Sequence, residues 1–167
     1  MITQPADAVT LSELLGYAEI EWRRWRDWFD RNPAALDVPI DVAGASRVRD
    51  LVKHIVLVDL RYAEWLLGEP LTPPDGLDAL SSAAVLAVGD RAYALLHRVL
   101  ETTTDPQWAD VMPFPKPMEH VKPTRRKCFI HVVVHSTRHW AQLATALRAA
   151  GHAQDWQHDL IFTTVIE

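Results

Sequence analysis

Residues 128–151 read CFIHVVVHSTRHWAQLATALRAAG. Apolar side chains would point in most directions around a helix of this sequence, and a helix that is apolar on most sides is typical of a buried position. The helix is expected to begin near Thr124 and to run to about Ala150, where Gly151 closes it. The stretch therefore predicts a long, buried final helix.

Three histidines mark one face of this helix. His131, His135 and His139 follow one another at intervals of four residues, so neighbours share a face and lie roughly 6 Å apart. Two such imidazoles can bind one metal ion, but the spacing does not choose between the pairs His131/His135 and His135/His139. Burying several imidazoles without partners is costly, and a shared ion removes that cost. The pattern predicts a divalent metal site.

Hydrophobic periodicity predicts three further helices, over residues 11–31, 46–67 and 78–101. The second of them carries His54 on its expected inward stripe, between Leu51 and Val58. In an antiparallel bundle this third imidazole can lie across the core from the final helix. The sequence thus predicts an all-α fold, an up-down four-helix bundle that forms a single domain over residues 1–167.

The connection before the last helix, residues 102–123, is rich in proline, which prevents a continuous helix there. So long a connection is uncommon in a compact bundle and is often functional. It could hold a short strand pair, and its apolar side chains are expected to pack on the bundle: Trp108, Met112, Phe114 and Met118. The tail, residues 156–166, contains an extended-looking run at 160–165 and is also expected to pack across the bundle.

Composition excludes several classes of protein. The formal net charge of −5 argues against nucleic-acid binding. No apolar run approaches the roughly 18 residues of a membrane span, and residues 1–10 do not resemble a secretory signal. The single cysteine, Cys128, excludes an intramolecular disulfide and a Cys-based zinc site, which favours a reducing, cytoplasmic setting. Cys128 is interpreted as a small buried apolar residue.

The final helix resembles that of the DinB/YfiT-like family. The shared features are two histidines four residues apart, then a small residue with glutamine, then Leu-Arg and a glycine, here His135, His139, Ala141-Gln142, Leu147-Arg148 and Gly151. Residues 51–62 and 159–162 are also similar to family segments, whereas Trp140-Ala141 departs from a frequent Arg-Gly. The resemblance implies His54, His135 and His139 as metal ligands, with His131 supporting them or filling the core.

Three neutral imidazoles leave one position open on a tetrahedral metal, as in catalytic sites. An all-nitrogen site suits zinc, nickel, iron or copper, of which Zn²⁺ is expected first and Ni²⁺ next, with Fe²⁺ as a further alternative. Candidates for fixing the histidine tautomers are Asp59, Thr137 and Gln142.

Resemblance to the thiol-dependent S-transferases of the family implies that the open position binds a low-molecular-weight thiol, which then attacks an electrophile. Arg61 and Arg138 could hold carboxylates of the cosubstrate, or could be surface or ion-pair residues. A metal-dependent hydrolase is a variant of the same site, and a non-catalytic, stress-related metal-binding bundle is the main alternative. An open site lined by arginine and aromatic residues favours an enzyme. The family also implies a homodimer.

Overall fold

The computed structural model describes residues 8–114 and 118–165 and confirms the all-α, four-helix fold. Its long helices are α1 (Leu11–Arg31), α2 (Val48–Leu67), α3 (Ser82–Thr102) and α4 (Arg125–Ala149). Both α1 and α2 pack against α3 and α4, so α1 and α2 lie at opposite corners of the bundle. The neighbouring pair α2 and α4 carries the predicted metal ligands. Among the described residues, no helix has the length and apolar character that crossing a bilayer requires.

Local signals set several helix ends as predicted. Thr10 caps α1 in a complete capping box, in which its side chain accepts from the Glu13 backbone and Glu13 accepts from the Thr10 backbone. Gly68 ends α2 in the left-handed conformation, with a φ of 71°. Gly151 follows α4 with a φ of 86°. The left-handed region is accessible to glycine because it has no Cβ, so these two residues stop their helices.

The two-stranded sheet forms in a different connection from the one predicted, although residues 110–114 and 121–125 also pair antiparallel through backbone hydrogen bonds. Strand β1 (Pro39–Val42) pairs antiparallel with β2 (Ala45–Arg47). Ala43 and Gly44 join them, both with positive φ, the backbone shape that a tight hairpin turn needs. The hairpin uses residues assigned above to the second helix, and α2 consequently begins at Val48.

Two other boundaries differ from the prediction. Helix α3 begins at Ser82, four residues later than predicted, because residues 75–80 form turns and the Ser81 side chain caps the helix. The proline-rich connection contains a 3₁₀ helix (Asp105–Ala109) and one isolated bridge between Val111 and Thr124. Pro115 and Pro117 of that connection lie outside the described residues, and so does Ile166 at the end of the predicted tail.

The composition of α4 predicted a helix buried on all sides, but one side of it is exposed. Val134 is 59% exposed, and His131 and Arg138 are exposed as well. A helix at the corner of a four-helix bundle necessarily turns one side to solvent. Helix α4 therefore combines a buried face with an open one, and the histidines lie where the two meet.

The tail packs on α1 as predicted, but its local structure differs. Tyr17 donates a hydrogen bond to the backbone oxygen of His158 at 2.7 Å, and Arg24 donates to that of Gln157 at 3.1 Å. The run predicted to be extended instead contains a 3₁₀ helix (Leu160–Phe162). Ile161 within it is 82% exposed, so the apolar character of this run does not reflect burial.

Candidate metal centre

Three histidines meet where α2 packs against α4. His54 of α2 and His135 and His139 of α4 each offer a ring nitrogen, and these atoms lie within 4.8 Å of one another. The Nε2 atoms of His54 and His135 are 3.2 Å apart. These three residues, called the histidine triad below, could hold a metal ion.

The three residues of the triad differ in exposure. His139 is 2% exposed and His135 is 9% exposed, whereas His54 is exposed. The prediction that His54 lies on the inward stripe of its helix was wrong, since the buried face of α2 runs through Leu51, Val52, Ile55 and Val56. The triad therefore lies at the solvent edge of the contact between α2 and α4 rather than deep in the bundle.

The spacing and chemistry of the triad fit a divalent ion. Metal–nitrogen bonds of about 2.1 Å in a tetrahedron place two ligand nitrogens roughly 3.4 Å apart, close to the 3.2 Å between His54 and His135. Burial lowers the pKa of all three imidazoles, and for His135 the pKa falls to about 3, with the neighbouring histidines adding to the effect. Neutral imidazoles keep the lone pair that a metal needs.

Hydrogen bonds orient His139 within the triad. Its Nδ1–H donates to Oε1 of Gln142 at 2.8 Å, which leaves Nε2 as the ring nitrogen with a free lone pair. A partner of this kind on the far nitrogen is typical of metal-binding histidines. Arg138 donates to that Nε2 atom at 3.0 Å. The Nε2 lone pair cannot bind a metal ion and accept from Arg138 at the same time, so a bound ion would free this N–H of Arg138.

The other two candidates for fixing tautomers have different partners. Asp59 accepts from the Ser136 hydroxyl, which joins α2 to α4 beside the triad. Thr137 donates to the backbone oxygen of Val133. Nδ1 of His135 is buried and has no hydrogen-bond partner among the described residues. Of the three predicted candidates, only Gln142 therefore bonds to a histidine of the triad in this structure.

Comparison with known protein families agrees with this geometry. The sequence profile of the DinB superfamily matches residues 17–143, well over half of the chain. The chain belongs to the DinB superfamily. The matched segment includes the whole histidine triad and Gln142. A search of curated proteins finds none that matches the chain.

The remaining candidate residues of this DinB-superfamily chain lie around the triad. The exposed ring of His131 is centred 5.7 Å from that of His135 and lies outside the triad. Cys128 is buried, and burial raises its pKa to about 11, which keeps the thiol protonated and unreactive. Arg61 donates to the backbone oxygen of Thr72, which commits it to the linker after α2. Arg138 is the arginine that reaches the triad.

Replacing Gln142 by alanine should weaken metal binding without unfolding the protein. The exposed amide holds the His139 ring in place, and loss of such a partner typically costs about 10- to 100-fold in metal affinity. Titration with Zn²⁺ against a chromophoric chelator measures the change. Thr145→Ala, an exposed substitution three residues further along α4, is the control. Equal affinity in the Gln142 variant and wild type would show that the hydrogen bond does not position a ligand.

Asp59 should make the stability of the metal-free protein fall as the pH rises. Burial raises the pKa of its carboxyl from 3.8 to about 7, so the folded chain holds this proton where the unfolded chain releases it. The contribution to stability is complete below about pH 4 and is lost as the pH rises through about 7.

We therefore expect Asp59→Asn to be more stable than wild type at pH 8, by on the order of 3 kcal/mol, with the difference shrinking towards pH 5. Urea unfolding in the presence of a chelator measures this without a metal contribution. Asp41→Asn, at an exposed carboxylate, is the control. A difference between Asp59→Asn and wild type that does not vary with pH would contradict the account.

Proposed function

We propose that this chain is a metal-dependent transferase that activates a low-molecular-weight thiol for attack on an electrophile. His54, His135 and His139 would hold one divalent ion, Zn²⁺ first, with Ni²⁺ or Fe²⁺ as alternatives. The observation that carries the proposal is that the triad offers three ring nitrogens while one of its members, His54, is exposed to solvent. Structural zinc sites are usually closed by four protein ligands, whereas three ligands with access to solvent are typical of catalytic sites.

The chemistry divides between the ion and the chain. A bound divalent ion would supply positive charge that favours the thiolate form of the cosubstrate, which is the nucleophilic form. Gln142 would keep the His139 ring aligned. The hydrogen bond between Ser136 and Asp59 would hold α2 and α4 at the separation that the triad needs.

Arg138 is suited to recognise the thiol. Its guanidinium lies 3.0 Å from Nε2 of His139, and its charge lowers the pKa of all three histidines of the triad. Since an ion on His139 would free one N–H of Arg138, the side chain could then bind a carboxylate of the cosubstrate. Arg61, the other candidate, is held by the Thr72 carbonyl. A homodimer in the cytoplasm remains a prediction.

A conjugation assay with 1-chloro-2,4-dinitrobenzene tests the proposal, using each of the low-molecular-weight thiols that cells contain. The thiolate forms a bond to the ring carbon, chloride leaves with the electron pair of the C–Cl bond, and the thiol proton is released to solvent. We expect metal-dependent turnover with at least one thiol and loss of at least about 100-fold in His139→Ala.

Arg138→Ala should raise KM for that thiol by about tenfold, the loss of one charge-assisted contact, while Arg148→Ala, at an exposed arginine of the last turn, should not. Stoichiometric metal without turnover for any thiol would contradict the transferase and support the non-catalytic alternative. Metal-dependent ester or amide hydrolysis without conjugation would support the hydrolase instead.

A further inference from the structure

An apolar pocket adjoins the histidine triad. Its volume is about 470 Å³, within the range of pockets that enclose small organic ligands. Tyr62 of α2, Cys128 of α4, and Phe114 and Val121 of the connection before α4 form its apolar walls. The Phe114 ring packs edge-on against Tyr62, with ring centroids 6.1 Å apart. The predicted packing of Phe114 on the bundle therefore creates a cavity wall.

His131 connects the pocket to the triad. It lines the pocket, and its ring centroid is 5.3 Å from that of Tyr62 and 5.7 Å from that of His135. The pocket lies towards the amino end of α4 from the triad, whereas Arg138 and Gln142 contact His139 on the other side. Two ligands could thus approach the triad from opposite directions along the same helix.

We propose that this pocket binds the electrophilic substrate, a molecule with an apolar aromatic ring and an anionic group. The proposal rests on the transferase function above and names the class of its second substrate. The aromatic and aliphatic walls suit a ring, whereas low-molecular-weight thiols are polar and better matched to Arg138. The volume is sufficient for one substituted ring.

Two lysines supply the preference for an anion. Lys122 and Lys127 line the pocket and are exposed. Neither side chain forms an ion pair with another of the described residues, although the whole chain carries a formal charge of −5. Their charges are therefore available to a bound carboxylate, and the neutral Cys128 thiol at the wall does not oppose it.

Calorimetric binding of two unreactive probes, 3,5-dinitrobenzoate and neutral 1,3-dinitrobenzene, tests the pocket without thiol or turnover. Wild type should bind the acid more tightly. The double variant Lys122→Ala/Lys127→Ala should weaken binding of the acid by about tenfold, because two exposed charge pairs are lost. Its binding of the neutral probe should be unchanged. Val121→Trp, which fills the cavity, should weaken both probes at least about tenfold. Lys53→Ala, at a lysine paired with Asp78, is the control.

Equal effects of the double lysine variant on both probes, or unchanged binding in Val121→Trp, would overturn the proposal. Competitive displacement of the acid by the thiol cosubstrate would also overturn it, because the pocket would then be the thiol site. In the conjugation assay, the preference for 4-chloro-3,5-dinitrobenzoate over 1-chloro-2,4-dinitrobenzene should fall about tenfold in the double variant. If the double variant turns over with the same preference as wild type, only the pocket proposal is refuted. If wild type binds the probes as expected but shows no turnover, only the transferase proposal is refuted.

Discussion

Replacing His139 by alanine should reduce the affinity of the protein for Zn²⁺ by more than about a hundredfold, because loss of a ligand must exceed the 10- to 100-fold cost of losing a supporting partner. His139 is nearly fully buried, and Gln142 already holds its ring in one orientation. The His139 substitution therefore removes a ligand that is already held in position as well as a nitrogen donor. His54→Ala should have a similar effect on affinity, measured by competition with a chromophoric chelator.

His131→Ala is the matched control for that experiment. It removes an imidazole from the same helix, one turn before His135, but from outside the triad. We expect its Zn²⁺ affinity to stay within about threefold of wild type. The comparison chooses between the two histidine pairs that helical spacing allows. Loss of metal in His131→Ala with retention in His139→Ala would show that the ion uses the other pair.

Gly89→Ala should destabilise the protein, although alanine favours a helix over glycine by about 1 kcal/mol. A Cβ on Gly89 would lie 2.7 Å from Cε2 of Trp22 and closer still to Cζ2. The indole cannot move aside easily, since Trp22 is 1% exposed, stacks on Tyr93 and donates to Asp90 at 3.1 Å. Overpacking of this kind costs about 1–3 kcal/mol or more.

The expected net loss is about 2 kcal/mol, or a fall in Tm of roughly 4–8 °C, measured by thermal unfolding with chelator present. Gly16→Ala provides the control, because a Cβ there would meet only Val165 Cγ2 at an ordinary 3.7 Å. That variant should be neutral or more stable by up to about 1 kcal/mol. If both substitutions raise Tm equally, the close approach of α1 to α3 at Gly89 is not rigid.

Local sequence signals were enough to predict α1 and the ends of other helices. The predicted range of α1 agrees with Leu11–Arg31 because the Thr10/Glu13 capping box marks its start and the pair Asn32-Pro33 marks its end within the sequence itself. The start of α2 could not be predicted in this way. It depends on the hairpin turn at Ala43 and Gly44, which both have a positive φ. A positive φ is unusual for alanine, and Ala-Gly is not a common sequence for such a turn.

Helical spacing placed His135 and His139 on one face, but it could not settle their surroundings. Two overlapping apolar stripes run along α2, and only packing decides that Ile55 is buried and His54 exposed. The contact of Arg138 with His139 likewise depends on side-chain geometry. Ligation by the triad and the transferase activity stay predictions. Of the apolar anchors predicted in the connection, Trp108, Met112 and Phe114 contact the bundle, whereas Met118 is 47% exposed. The pocket that Phe114 helps to form was not visible in the sequence.

Elemental analysis of the purified chain tests the central claim most directly, provided that no chelator or refolding step is used. Wild type should contain about one equivalent of a divalent transition metal, and X-ray absorption should show about three imidazole nitrogens at roughly 2.1 Å. Protein that carries less than about a tenth of an equivalent, and takes up neither Zn²⁺, Ni²⁺ nor Fe²⁺ when these are added, would contradict a metal site at His54, His135 and His139.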